Sequence, residues 1–196
     1  MTHTLDQVIA LMKLSNQFSL VQRAIYKTGT ERMENDAEHS YQLAFLAWQL
    51  NDMLSLWLDS NRIMQYALAH DLVEVYAWDT DAMWTVWDPT TKAKREHEAF
   101  LRLQSEYSSF SSFTEILEKY EARSDEESRF VYALDKLVPS INIYLNGWRD
   151  WKRKWVSLAD TRAYKDKKIA EHPAVEKLYN ELNERLEADY NRYFDK

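Results

Sequence analysis

Between Arg62 and Asp79 the apolar residues Ile63, Ala67, Leu68 and Leu72 recur at helical spacing, and the same stretch carries His70, Asp71 and Glu74. Three ionisable groups thus stand where a core helix would hold leucines. Residues i and i+4 share a helix face, which stacks His70 on Glu74 and sets Asp71 on the flank of that face. Buried charge without compensation is costly, so the group must be paired, protonated or bound to a metal. His39 and Asp135 extend the set, the latter lying between Val131 and Val138 on the apolar side of its own stretch. Two imidazoles and two carboxylates, His39, His70, Asp71 and Asp135, suit one divalent transition metal (Mn, Co, Fe, Ni or Zn) better than Ca or Mg. Glu74 and Asp79 form a separate pair able to polarise or position a water. Each signal alone has an ordinary structural reading, a core salt bridge or a satisfied inward aspartate. Their combination is what points to chemistry.

The elements that must position these groups are helices. Only two glycines and three prolines occur in 196 residues, which leaves little material for hairpins and favours an all-α protein of one domain. The same scarcity excludes a Gly-rich phosphate loop or a dinucleotide fingerprint. A formal charge of −7 repels polyanions, so nucleic acid is not an expected partner. With no cysteine there is neither a disulfide framework nor a thiolate metal site. No basic leader and no apolar run of membrane-spanning length are present, and the default expectation is a cytoplasmic protein that does not enter the membrane.

Along the chain, Leu5, Val8, Ile9, Met12 and Leu14 predict a first helix packed on the core, and the segment from Tyr26 to Met33 reads as a loop. Asn35 and Glu38 have capping-box spacing at the start of a second helix, which places His39 in its first turn. The stretch from Arg62 to Asp79 reads as one helix, followed by an aromatic-rich connection as far as Pro89. Charged and short helices follow at about residues 90–107 and 114–120. Ser124 and Glu127 predict a capping box for the helix carrying Asp135, with a bend at Pro139. Trp148, Trp151 and Trp155 recur at i, i+3 and i+7 among basic residues. That spacing reads as a core or subunit-packing seam, with a base-stacking platform as the competing reading. A last helix runs from about Pro173 to Phe194.

The order H…HD…D, with Glu three residues after the HD, resembles the HD-domain metal-dependent phosphohydrolases. Three stretches carry the likeness, 34–40, 68–79 and 129–139, and within that superfamily they are similar to the small hydrolases grouped with bacterial 5′-deoxynucleotidases. The resemblance implies an HD-type helical bundle over 1–145 with a C-terminal helical extension over 146–196, packed on the same domain or on a partner subunit. It implies metal ligation by His39, His70, Asp71 and Asp135, and roles for Glu74 and Asp79 around the attacking water and the leaving ribose. The family's phosphate-gripping Arg-Trp pair falls on Gln17 and Phe18, where this chain departs from the pattern. A small residue usually precedes the acid matching Asp79, and here it is Trp78. Arg23 and Arg32 are the nearest replacements for the phosphate grip, with Lys92 and Lys94 beyond them.

The resulting expectation is hydrolysis of nucleoside 5′-monophosphates by metal-activated water, with inorganic phosphate as product. The alternatives are a deoxynucleoside triphosphate triphosphohydrolase, an alarmone hydrolase, and a non-catalytic nucleotide-binding protein. A small-molecule nucleotide and a second copy of the chain, in a dimer or larger homo-oligomer, are the expected partners.

Overall fold

The computed structural model describes residues 4–78 and 89–194. The chain order is α1 (Thr4–Phe18), β1 (Gln22–Tyr26), β2 (Met33–Asn35), α2 (Asp36–Met53), α3 (Ser60–Ala69), α4 (Glu74–Ala77), α5 (Pro89–Glu106), α6 (Ser111–Ala122), α7 (Glu126–Leu145), α8 (Arg149–Lys154), α9 (Leu158–Ile169) and α10 (Pro173–Phe194). The fold is all-α, as expected from the turn-poor composition, with one small exception. β1 and β2 pair antiparallel, Gln22 opposite Asn35 and Tyr26 opposite Met33, so the segment expected to be only a loop is the tip of a hairpin. Gly29 supplies the positive φ that the tip needs, at +79°. Asp150 ties the hairpin down from α8, its buried carboxylate accepting from Tyr26 N–H at 3.2 and 3.3 Å.

α7 is the hub. It packs against α2, α3, α6, α8, α9 and α10, and its Phe130, Val131, Ala133, Leu134, Leu137 and Val138 are all buried. One apolar cluster runs without interruption from Leu14 to Leu186, including Ile169, Val175 and Tyr179 from α9 and α10. Among the described residues no helix is long and apolar enough to cross a membrane.

Several local expectations are corrected. α1 buries only Leu14 and Phe18, while Leu5 is 67% and Met12 55% exposed. It packs beside α2 and α4 with most of its apolar stripe left uncovered. The stretch from Arg62 to Asp79 is not one helix: α3 ends at Ala69, a tight turn follows, and α4 begins at Glu74. His70 Nδ1 lies 2.9 Å from the Ala67 carbonyl, the acceptor that Asp71 N–H would use in a continuing α-helix. The next bonds, Leu72 N–H to Ala69 O and Glu74 N–H to Asp71 O, have the shorter i to i+3 span.

The cap of α7 lies one residue later than expected. Asp125, not Ser124, is the N-cap, and Ser128 completes the box. Asp125 also accepts from Tyr66 O–H at 2.5 Å, a tie to α3 that Ser124 does not make. The tryptophan spacing is not a continuous helical seam either. Trp148 and Trp155 flank the six-residue α8 in left-handed backbone conformations. Trp148 and Trp151 meet edge to face at 5.2 Å inside the chain's own core, whereas Trp155 is 92% exposed. The core reading holds for the first two, and their burial removes them as anchors for a second subunit.

Candidate metal centre

His39 is delivered by the first turn of α2, whose start is built as the spacing predicts. The Asn35 side chain accepts from Glu38 N–H at 2.9 Å, and the Glu38 carboxylate accepts in return from Asn35 N–H at 3.3 Å. His70 and Asp71 come from the turn closing α3, and Asp135 comes from the middle of α7. One ligand atom from each of His39, His70, Asp71 and Asp135 falls within 4.8 Å of every other. Nitrogen and oxygen ligands sit roughly 2.0–2.2 Å from a zinc-like ion, so opposed donors around one cation stand close to that separation.

The chemistry of the donors also fits a cation. His39 Nε2 lies 2.9 Å and His70 Nε2 3.6 Å from Asp135 Oδ1, while Asp71 Oδ2 lies 2.9 Å from His70 Nε2. With Nδ1–H donated to the Ala67 carbonyl, the lone pair of His70 is on Nε2, the atom turned towards the carboxylates. Behind His39, the buried Glu34 sets a carboxylate oxygen 3.6 Å from Nδ1, beyond hydrogen-bond distance but near enough to favour a proton on that nitrogen. In the metal-free chain a proton takes the cation's place. Burial opposes charge on His70, but Asp71 and Asp135 outweigh it and push the imidazole up to about 10. Asp135 is held well below the usual carboxylate range, burial being overcome by Lys136 and the two histidines.

Arg23 was expected to grip phosphate. It lines the cavity above the cluster, but its guanidinium is engaged by Asp71 at 2.8 Å, by Asp36 at 3.0 Å and by Glu34 at 3.6 Å. That geometry makes it the strut that aims Asp71. Arg32 is corrected outright: it is exposed, does not border the cavity, and is forked onto Glu38 at 2.8 and 2.5 Å. Phe18 is buried in the core, and Gln17 borders a different groove shared with Lys13, Tyr76 and Arg102. Lys92 reaches the cavity paired with Glu96 at 3.3 Å, whereas Lys94 is exposed beside Glu98. Glu74 is buried and lines the cavity. Asp79 lies outside the described residues.

The cavity, about 170 Å³, is also lined by Trp151, Tyr164 and Lys165 from α8 and α9. Tyr164 and Lys165 were not candidates from sequence, and Trp151 entered there only as a packing or base-stacking residue. Lys136, beside Asp135 with its Nζ 2.5 Å from Oδ2, was also missed, although its place next to an inward aspartate was a usable signal.

A family model described as HD domain matches residues 16–179. The chain belongs to the HD domain family. That membership bears out the resemblance read from the His39, His70–Asp71 and Asp135 stretches. The HD match runs through α8 and α9 as well as the helices that carry the four candidate ligands. Proteins named 5′-deoxynucleotidase HDDC2 are similar to this HD chain, the Mus musculus one at 26% identity over 89% of this chain and 86% of its own length. The Homo sapiens one is 25% identical over 92% and 86%. Among solved structures, a predicted metal-dependent phosphohydrolase from Magnetospirillum magnetotacticum MS-1 superposes with a TM-score of 0.75 at 26% identity over 91% of both chains. The PH0347 protein from Pyrococcus horikoshii OT3, with a TM-score of 0.60 and 23% identity over 90% of this chain and 96% of its own, shares the fold.

Proposed function

We propose that this HD-domain protein is a metal-dependent phosphohydrolase that releases inorganic phosphate from nucleoside 5′-monophosphates, deoxynucleotides included. The observation that carries the reading is the convergence of His39, His70, Asp71 and Asp135 within 4.8 Å at a cavity that also holds Glu74 and Lys136. The named function of the HDDC2 relatives supports the substrate class.

A divalent cation held by the two histidines and two aspartates would act as a Lewis acid on a phosphoryl oxygen and make a bound water acidic. The remaining work falls to side chains of this chain. Glu74 accepts the proton of the attacking water from the cavity wall. Arg23, fixed by Asp36 and Glu34, keeps Asp71 pointed at the centre. Lys136 keeps Asp135 ionised and offers positive charge to a phosphate. Asp79 is assigned the leaving ribose oxygen on the family likeness alone. Five cations, Arg23, Lys92, Lys136, Lys154 and Lys165, and five carboxylates, Asp71, Glu74, Glu96, Asp135 and Asp150, line the cavity, a balance that favours a monophosphate over the more highly charged triphosphate.

The test is product analysis with purified protein loaded with Mn or Co. Phosphate release from dAMP is expected to exceed any reaction of dATP at matched concentration. Faster release of intact triphosphate from dATP would move the protein to the triphosphohydrolases, and turnover of neither would leave a binding protein.

A further inference from the structure

The cavity beside the metal cluster is lined by a lysine that the hydrolytic scheme leaves unused. Lys165, on α9, is 7% exposed, and its ammonium donates to the Lys136 carbonyl at 2.8 Å and to Ser140 Oγ at 2.6 Å. Both acceptors are neutral. Among the described residues no carboxylate lies within ion-pair distance of Lys165, although other buried or half-buried cations of the site, Arg23, Lys92 and Lys136, each have one. An ammonium carries three donors, so one is left over on a group that lines the cavity. Lysine is seldom buried unless paired, because removing its charge from water costs several kcal/mol.

We propose that Lys165 is a substrate-binding residue whose counter-ion is a tetrahedral oxyanion, the phosphate group of the substrate, held between α9 and the metal cluster. The inference rests on the phosphohydrolase reading above and adds to it a contact from the C-terminal helices. Two observations support it. Burial lowers the Lys165 ammonium to about 7, with Lys136, Lys168 and Arg23 adding to the effect and Asp135 opposing it. The main cause is lost hydration, and an anion entering the cavity would supply the interaction that burial takes away. Second, Trp151 and Tyr164 also border the cavity and provide apolar surface for the remainder of an organic phosphate.

The experiment measures binding of inorganic phosphate by calorimetry to the Mn-loaded protein, so that no turnover is needed. Lys165→Gln keeps donors for Lys136 O and Ser140 Oγ but removes the charge. It is expected to weaken phosphate binding by roughly 10-fold or more, the range for a lost charged hydrogen bond. Manganese content should stay unchanged. Lys165→Met serves if the glutamine variant folds poorly, since a methionine of similar length removes a buried charge and suits the apolar neighbours. Lys168→Met, whose ammonium sits over the Tyr164 ring, is the control and should bind phosphate like the parent. With any monoester that is turned over, KM should rise in the glutamine variant more than kcat falls. Unchanged phosphate affinity at full metal content in either Lys165 variant overturns the proposal. If the parent binds phosphate but hydrolyses no nucleotide, the phosphohydrolase reading fails while the Lys165 comparison still stands on its own.

Discussion

Asp71 joins the candidate metal cluster to the scaffold and lines the cavity. Its Oδ2 faces His70 at 2.9 Å and Arg23 at 2.8 Å, so Asp71→Asn is expected to lower metal content and abolish phosphate release without unfolding the chain. Full metal content with retained activity would remove Asp71 from the ligand set. Arg23→Met tests the strut: groups that orient ligands typically matter by about 10- to 100-fold in metal affinity, and metal titration of this variant should show a loss of that order. A phosphate grip would instead leave metal affinity intact and raise KM. The proton on His70 gives a pH dependence of definite sign. Its imidazole is pushed up to about 10 in the metal-free protein, above the ordinary value of about 6.5. The metal-free chain therefore gains stability from the charged ring that is fully present below pH 6.5 and lost as the pH climbs towards 10. A cation must displace that proton, so apparent metal affinity should rise between pH 6 and pH 8 in a direct titration, and a flat profile would mean the ring is already neutral. The residue types and order made the four candidate ligands legible. Glu34 and Asp36, which hold His39 and Arg23 from behind, were not, because a buried carboxylate leaves no mark in sequence until its partner is placed beside it.

At the scale of elements, short-range chemistry was legible where only one partner was available and misread where two competed. The cap of α2 is the first case, since Asn35 and Glu38 have no rivals at that spacing. The cap of α7 is the second: Ser124 with Glu127 and Asp125 with Ser128 both fit the pattern, and Tyr66 on a distant helix selects Asp125. The break at His70 has the same origin, a side-chain bond whose purpose is visible only once Asp71 and Asp135 converge. Helical periodicity also overstated burial in α1, because an apolar stripe says which residues share a face and not whether anything covers it. The end of α4 carries a prediction. Trp78 stands at φ 62° and ψ 140°, a region that favours glycine, and its side chain is mostly exposed. A glycine would adopt this backbone without a Cβ penalty. Trp78→Gly should relieve about 1 kcal/mol of strain and raise the melting midpoint by roughly 2–4 °C, with metal content unchanged. A lower midpoint would show that the indole contributes more by contact than its backbone costs.

Across the whole molecule, the site is assembled from both ends of the chain around α7. The hairpin contributes Arg23, α2 and α3 contribute the histidines, and α8 and α9 line the cavity with Trp151, Tyr164 and Lys165. Sequence periodicity found α10 but not α9, and nothing local ties Lys165 to Asp135, thirty residues before it. The same packing determines whether residues 1–145 can fold without the remainder. Phe130 of α7 meets the His172 ring at 5.0 Å, and Ile169, Val175 and Leu186 are fully buried in the common cluster. Burying each such side chain stabilises by roughly 1.5–3 kcal/mol, so losing several removes an amount comparable to the whole stability of a domain, about 5–15 kcal/mol. Lys165 and the buried Asp150 anchor to α7 and β1 respectively, and their polar partners would be left facing water. A chain ending at residue 145 is therefore expected to show no cooperative urea transition and no stoichiometric manganese, even though it retains His39, His70, Asp71 and Asp135. Circular dichroism through a urea titration, with metal content measured on the same preparation, decides the matter. A sharp transition with bound manganese would establish that the first 145 residues make the metal centre alone, leaving α8 to α10 to act only on the substrate.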